Sequence, residues 1–443
     1  MSAMQPSQRK TSYLETYAIA WSIADLRERM LFVLFAFALY VAGSHVPIPG
    51  VNPDAIQGFL NTSGGGGVLG MLDLFSGGNF RRISIFALGI MPYINASIIF
   101  NLLVVVFPAL EALQKEGESG RRVISQYTRY LTVALAFVQG FALLMSFRGG
   151  GGAGGGGILH ETHWYNYLFV IVTLTAGTSF LMWLGELITE FGVGNGSSLV
   201  IFAGIIASLP TYLANDILAQ TPGFEQVKMF LTFLVLTAAI IFAIVYVHLA
   251  ERRISIRYAR HSVGGTQTYT HYLPMKLNMA GVIPIVFSVS VLLFPATIGS
   301  FFPPESSFHT WAQTFHQSTL YKFMYFFMTL IFTFFYTAVI FNPKDVAENL
   351  KKNGGFLPGV RPGKPTADYL ARVLERLTLI GGLFLACLAV VPDWLLDSGG
   401  LGQVQSLQAL TGTSILIVVG VAIDTVRELD ARLTMNKYNT TLY

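Results

Sequence analysis

Residues able to do covalent or metal chemistry are scarce in this chain, and their spacing is wrong for it. The eight histidines show no close metal-ligand spacing, and His45 and His248 fall near the ends of apolar runs, where an interfacial role fits better than ligation. There is no GxxxxGK(S/T) phosphate loop, so ATP hydrolysis is not expected, and neither HExxH nor a Gly-x-Ser-x-Gly elbow occurs. Gly192–Gly196 is glycine-rich but follows no strand pattern, and it reads as a turn between two apolar runs. Cys387, the single cysteine, sits in an apolar run; it reads as a packed residue and excludes an intrachain disulfide. These features predict a protein that is not an enzyme and holds neither metal nor cofactor. Glu186, Glu375 and Asp424 all lie towards the ends of apolar runs. Ion-coupled transporters generally place ionisable groups near the membrane midplane. Charge-poor central turns therefore point to a passive conduit driven from outside, with a secondary transporter built on broken helices as the alternative.

The elements that must carry such a conduit are membrane helices. Of the 443 residues, 53% are hydrophobic and 12% charged, against roughly 25% charged in an average soluble domain. Charges cluster between apolar runs of about the ~20 residues that span a bilayer. Ten spans are expected, near residues 30–49, 83–107, 128–147, 165–187, 197–215, 228–249, 277–301, 321–341, 373–391 and 411–426. Loops on one side hold 23 of the 28 Lys and Arg residues, leaving Arg81, Arg82, Arg148, Lys228 and Lys322 for the other. The positive-inside rule then puts both termini in the cytoplasm. No basic-apolar-cleavage pattern opens the chain, so no cleaved signal peptide is expected. Two glycine runs, 64–67 and 149–157, fall in far-side loops and read as tethers.

Two spans share a flaw. Gly89-Ile90-Met91-Pro92 and Gly281-Val282-Ile283-Pro284 both interrupt apolar helices, and each is followed by small polar residues. Counted in fives, these are the second spans of two halves. Interrupted helices at matching positions point to an internal repeat with a working site at the junction. Before the first flaw, residues 68–80 form an apolar stretch too short to span, which fits a re-entrant half-helix, with an interfacial helix as the competing reading. The expected organisation is a tail at 1–26, an N-terminal half at 27–215, a C-terminal half at 216–426 and a tail at 427–443. Cytoplasmic loops are expected at about 250–276 and 342–372.

Several long stretches, in order, resemble the bacterial SecY family, the channel subunit of the Sec protein translocase. They include FSGGNFRRISIFALGIMPYINASII (75–99), KEGESGRR (115–122), GTSFLMWLGELITEFGVGNGSSLVIFAGI (177–205), LPMKLNMAGVIPIVF (273–287), FYTAVIFNPKDVAENLKKNGGFLPGVRPGKPTADYL (335–370) and GTSILIVV (412–419). The resemblance implies an all-α polytopic membrane protein with ten transmembrane helices in two pseudo-symmetric five-helix halves and a re-entrant plug. It implies a channel that passes unfolded polypeptides across the bacterial inner membrane and releases transmembrane segments sideways into lipid. Its implied partners are the small subunits SecE and SecG, the motor ATPase SecA, the ribosome, nascent or unfolded polypeptides and membrane lipid.

The resemblance also implies residue roles. A pore ring matches Ile90, Ile94, Ser197, Ile201, Val286 and Ile417, of which Ser197 departs from the family's aliphatic pattern. An apolar collar of this kind dewets and blocks ions when empty. The plug matches about 68–80, including Leu72, Leu74, Phe75, Ser76, Gly77 and Gly78, with Arg81 and Arg82 expected to hold it through hydrogen bonds. A lateral gate, between the second and third spans on one side and the seventh and eighth on the other, matches Asn95, Asn101, Asn278 and Ser288. Partner-docking loops match Arg252, Arg253, Arg257 and Arg260, then Lys351, Lys352, Arg361 and Lys364. A basic projection suits ribosomal RNA and acidic motor surfaces alike.

Overall fold

The computed structural model describes residues 21–51, 73, 76–149, 163–212, 224–262, 265–299, 301–302, 306–398 and 413–441. The glycine runs at 64–67 and 150–157, and Leu72, Leu74 and Phe75 of the expected plug, lie outside the described residues.

The chain is predominantly helical, and each expected span overlaps one helix. In order these are α1 (Ala24–Ser44), α2 (Met91–Val106), α4 (Glu118–Gly149), α5 (Trp164–Phe191), α6 (Gly196–Tyr212), α7 (Phe224–Leu249), α8 (Ile283–Gly299), α10 (Thr319–Ile340), α12 (Lys364–Ser398) and α13 (Thr413–Thr441). Three short helices join them: α3 (Pro108–Lys115), α9 (Ser307–Thr314) and α11 (Pro343–Lys352). By length and apolarity alone, four stretches can cross a membrane, in α4, α5, α10 with α11, and α12; the bent pair α2 and α3 makes a fifth. Many large apolar side chains face outwards, Leu34, Phe35, Phe242, Phe323, Phe327 and Ile380 among them, as expected of helices bathed in lipid rather than water.

The second span is not helical from residue 83. Residues 77–90 run as successive turns, with Gly77, Gly78, Ile83 and Gly89 all at positive φ, and the helix begins only at Met91. Pro92 lies in its first turn, where the missing N–H leaves no helical hydrogen bond unmade. The non-helical stretch finds backbone partners after α1: Ile48 N donates to the Ile83 carbonyl at 2.8 Å and Ile85 N to the Val46 carbonyl at 3.1 Å. Span seven repeats this construction. Gly281 takes φ +66°, against +59° at Gly89, and helix α8 starts two residues later with proline second. At the other end, Phe107-Pro108 breaks the apolar run and α3 departs at 101°.

The all-α expectation needs one correction. The loop expected at 250–276 is a long hairpin, β1 (Glu251–Ser262) against β2 (Gly265–Lys276), running in register from Glu251 opposite Lys276 to Ser262 opposite Gly265. A short strand β3 (Gly355–Phe356), from the loop expected at 342–372, pairs with β1 at Arg257 and Tyr258, giving the order β2-β1-β3. Ile254 and Ile256 alternate inwards along β1 and close a small core with Met275, Leu350, Leu357 and Leu370. The segment expected as a C-terminal tail continues α13 as helix to Thr441, and Leu429 and Leu433 pack on Leu26 and Val193.

Candidate functional site

The largest buried apolar cluster draws on α1, α2, α5, α6, α7, α8, α10, α12 and α13, and a cavity of about 450 Å³ opens beside it. Five expected ring residues line this cavity: Ile94 from α2, Ser197 and Ile201 from α6, Val286 from α8 and Ile417 from α13. Ile90, the residue before α2, is buried in the same cluster but does not line the cavity. Ile94 and Val286, each five residues after a positive-φ glycine, thus line one cavity from opposite halves of the chain. Ser197 offers the cavity less polarity than its type implies, because its hydroxyl donates to Asn195 Oδ1 at 2.7 Å. That carboxamide also accepts from Ser198 N and caps the start of α6.

Helix α6 relates the cavity to the expected plug. Ser197, Ile201, Gly204, Ser208 and Thr211 recur at spacings of four and three, which puts them on one face. At 1.5 Å per residue this stripe is about 21 Å long. Its first two residues line the cavity. Gly204 meets Gly77 so closely that a Cβ on Gly77 would lie 2.6 Å from the Gly204 carbonyl oxygen, and against its Cα. Ser208 packs beside Gly78, and the Thr211 hydroxyl accepts from the Arg82 guanidinium at 3.0 Å. Residues 76–82 therefore follow the same helix face as the cavity, beginning one turn past Ile201.

A polar web fixes this segment. Tyr40 of α1 donates its hydroxyl to the Ser76 carbonyl at 2.9 Å and accepts from Asn79 Nδ2 at 2.9 Å; Asn79 Nδ2 also donates to the Ser76 carbonyl. Asp73, about 1% exposed, forms an ion pair with Arg81 at 3.2 Å and accepts from its backbone N–H at 3.0 Å. The Asp73 carbonyl accepts from Ser76 Oγ and Gly78 N. Both arginines expected to hold the segment make such bonds, Arg82 also approaching His45 Nε2 at 3.4 Å. Tyr40, Gly204, Ser208 and Thr211 were not among the expected site residues, and Asp73 and Asn79 fall within the expected plug at 68–80 without having been given a role. The four-three spacing along α6 was the signal for Gly204, Ser208 and Thr211.

The expected gate residues divide. Helices α2 and α4 both abut α8, and α8 packs on α10. The cavity walls follow that seam, with Tyr93, Ser97 and Asn101 of α2 and Arg129 of α4 facing Ile283 and Phe287 of α8 and Tyr336 of α10. Asn95 is buried, and its Oδ1 has no partner among the described residues. Asn278 and Ser288 are satisfied locally instead. Asn278 Nδ2 donates to the Gly281 carbonyl at 2.9 Å and lies 3.4 Å from His248 Nε2; Ser288 Oγ donates to the Pro284 carbonyl, four residues back, at 2.8 Å. Their bonds steady the start of α8 rather than reach across the seam.

The basic loop residues converge on the sheet. Arg252, Arg253 and Arg257 are exposed on β1, Lys351 and Lys352 end α11, and Arg361 and Lys364 precede and open α12. Arg260 lies on β1, and its side chain is outside the described residues. Arg253 pairs with Glu251 at 2.7 Å. Because β3 pairs with β1, both loops form one projection. At its root, burial and then the nearby Arg427 guanidinium hold the Lys276 ammonium below its ordinary pKa.

The family model described as SecY matches residues 84–426. A protein translocase subunit SecY from Streptomyces scabiei is 43% identical over 441 residues, covering 96% of this chain and 99% of that relative. A solved SecY structure, whose plug domain is described as stabilizing the closed translocation channel and maintaining a membrane seal, superposes with TM-score 0.63 at 17% identity, covering 91% of each chain. Sec61 in the canine ribosome-channel complex superposes with TM-score 0.58 at 16% identity, again covering 91% of each chain.

Proposed function

Since the chain belongs to the SecY family, the pore-forming subunits of the Sec translocon, we propose that its collar, plug and gate are the parts described above. Membership makes it a multi-pass membrane protein and a channel subunit, and it removes the transporter alternative. The reading extends to ten transmembrane helices in two five-helix halves, in a bacterial inner membrane, with both termini cytoplasmic.

One observation carries the assignment of parts. A single face of α6 lines the cavity at one end, where it meets Ile94, Val286 and Ile417 amid polar walls, and packs against residues 76–82 at the other. Ile90, Ile94, Ser197, Ile201, Val286 and Ile417 form the collar between the two. Branched aliphatic side chains exclude water from a narrow waist, and they lack groups that would bind a passing chain tightly. An unfolded polypeptide enters from the cavity, displaces the segment around Ser76, Gly77 and Gly78, and leaves on the far side. A sufficiently apolar segment parts α2 and α4 from α8 and α10 and passes into lipid.

The chain has no nucleotide chemistry of its own in this reading, so force comes from partners. The exposed arginines and lysines of the fused hairpin and loop form a cationic surface suited to ribosomal RNA or to an acidic motor such as SecA. The ribosome-bound state of the canine relative supports the first. SecE and SecG complete the complex as in the family. Conductance of the reconstituted complex tests the collar: Ile201→Asp should wet the waist and raise resting ion leak, and an unchanged leak would refute it.

A further inference from the structure

The lateral gate's polar residues leave open what closes its far half. Asn278 bonds to the Gly281 carbonyl and His248 of α7, Ser288 bonds within α8, and both lie in the first part of α8 or just before it, so neither reaches α2 or α4. Other ring pairs near the gate join helices on the same side of the seam. Phe100 stacks on Tyr127 between α2 and α4, and Phe287 meets Phe332 and Tyr336 between α8 and α10. Phe141 and Phe301 differ. Phe141 is on α4 and Phe301 follows α8, and their rings stack across the seam at 6.2 Å and 27°.

We propose that Phe141 and Phe301 form an aromatic latch on the far half of the lateral gate, one that sets how apolar a segment must be before the gate releases it into lipid. The pair lies 15 residues beyond Val286, about 22 Å along the helix direction, so it is separate from the collar. Both rings are partly exposed on the apolar outer surface, where a departing segment must pass between them. Phe301 is held in place. Its N–H donates to the Ile298 carbonyl at 3.1 Å, Gly299 gives way to Ala312 of α9, and the adjoining Phe302 meets Phe308 at 5.1 Å. From Phe308, ring contacts run through Trp311 and Phe315 to Tyr321 of α10. Exposed Phe308 and Trp311 are the residue types that anchor at a membrane interface. The α9 turn therefore fixes one jaw while α4 carries the other. The latch deepens the gate reading and rests on it.

The test uses the full translocase in proteoliposomes and model segments of graded leucine content, measuring the fraction integrated into lipid against the fraction fully translocated. Phe141→Ala and Phe301→Ala should each shift the integration ratio towards integration by roughly two- to tenfold, the range of an aromatic pair. The double variant should go no further than either single, and Phe301→Tyr should restore the original threshold. An unmoved threshold, or additive single effects, would overturn the latch, as would failure of Tyr to rescue. Recovery of each variant as intact complex excludes misfolding. A disulfide across α2 and α8 separates the two readings. Integration that persists through it refutes the gate itself. Blocked integration beside an unmoved threshold refutes only the latch.

Discussion

Gly77→Ala is the sharpest perturbation of the resting seal. Gly77 sits at φ +75° with Gly204 against it. The left-handed conformation costs an L-residue about 1–2 kcal/mol. The clash is with backbone on α6, not with the tip of a flexible side chain, so it is relieved only by moving the segment. Moving it forfeits bonds such as Tyr40 to Ser76, at about 0.5–1.5 kcal/mol each. A total of about 2–4 kcal/mol raises the displaced fraction roughly 30- to 1,000-fold, at tenfold per 1.36 kcal/mol. Planar-bilayer recording of the reconstituted complex, with no substrate present, should show that rise as resting conductance. Gly50→Ala is the control, since φ is +84° there and no atom lies within 4 Å of the added Cβ. If Gly77→Ala leaks no more than Gly50→Ala, the packing of this segment under the collar is not what seals the channel.

Other perturbations reach the remaining parts. Arg81→Ala takes the guanidinium away from the buried Asp73 carboxylate, so it should raise leak more than the Arg81→Ala, Asp73→Asn double variant does; equal leak would count against the ion pair as an anchor. Ile94→Asp should leak as Ile201→Asp does, because both line the same cavity, and single-channel traces would show whether only one matters. Arg361→Glu should cut SecA-driven transport several-fold while the complex stays intact, read as translocation rate in inverted vesicles. Gly355→Ala should loosen β3 from the hairpin, since its Cβ would lie 2.8 Å from the Tyr258 ring; faster amide hydrogen exchange in β1 is the readout.

Much of this was legible in residue order because the bilayer constrains it. Apolar length marked ten stretches that each overlap a helix, and the two Gly-x-x-Pro flaws marked where α2 and α8 begin. The span expected from residue 83 ran too early, because apolar content from Ile83 to Ile90 masked turns that only Gly77, Gly78 and Gly89 announced. The hairpin was missed for a different reason. Its basic residues read as a solvated loop, although Ile254, Ser255 and Ile256 carry the two-residue alternation of a strand. The pairing of β3 joins residues about 100 apart in sequence, and local pattern does not encode it. The Asp73–Arg81 pair and the Tyr40 web depend on a turn geometry that the glycines permit but do not specify.

A polypeptide caught in transit tests the waist directly. With Cys387 replaced by serine, cysteines at Ile94, Ile201 and Val286 should each form a disulfide with one cysteine in an arrested secretory chain, while one at the lipid-facing Phe242 should not. Adducts at Phe242 alone, or none at the three waist positions while the chain is demonstrably halfway across, would contradict the account.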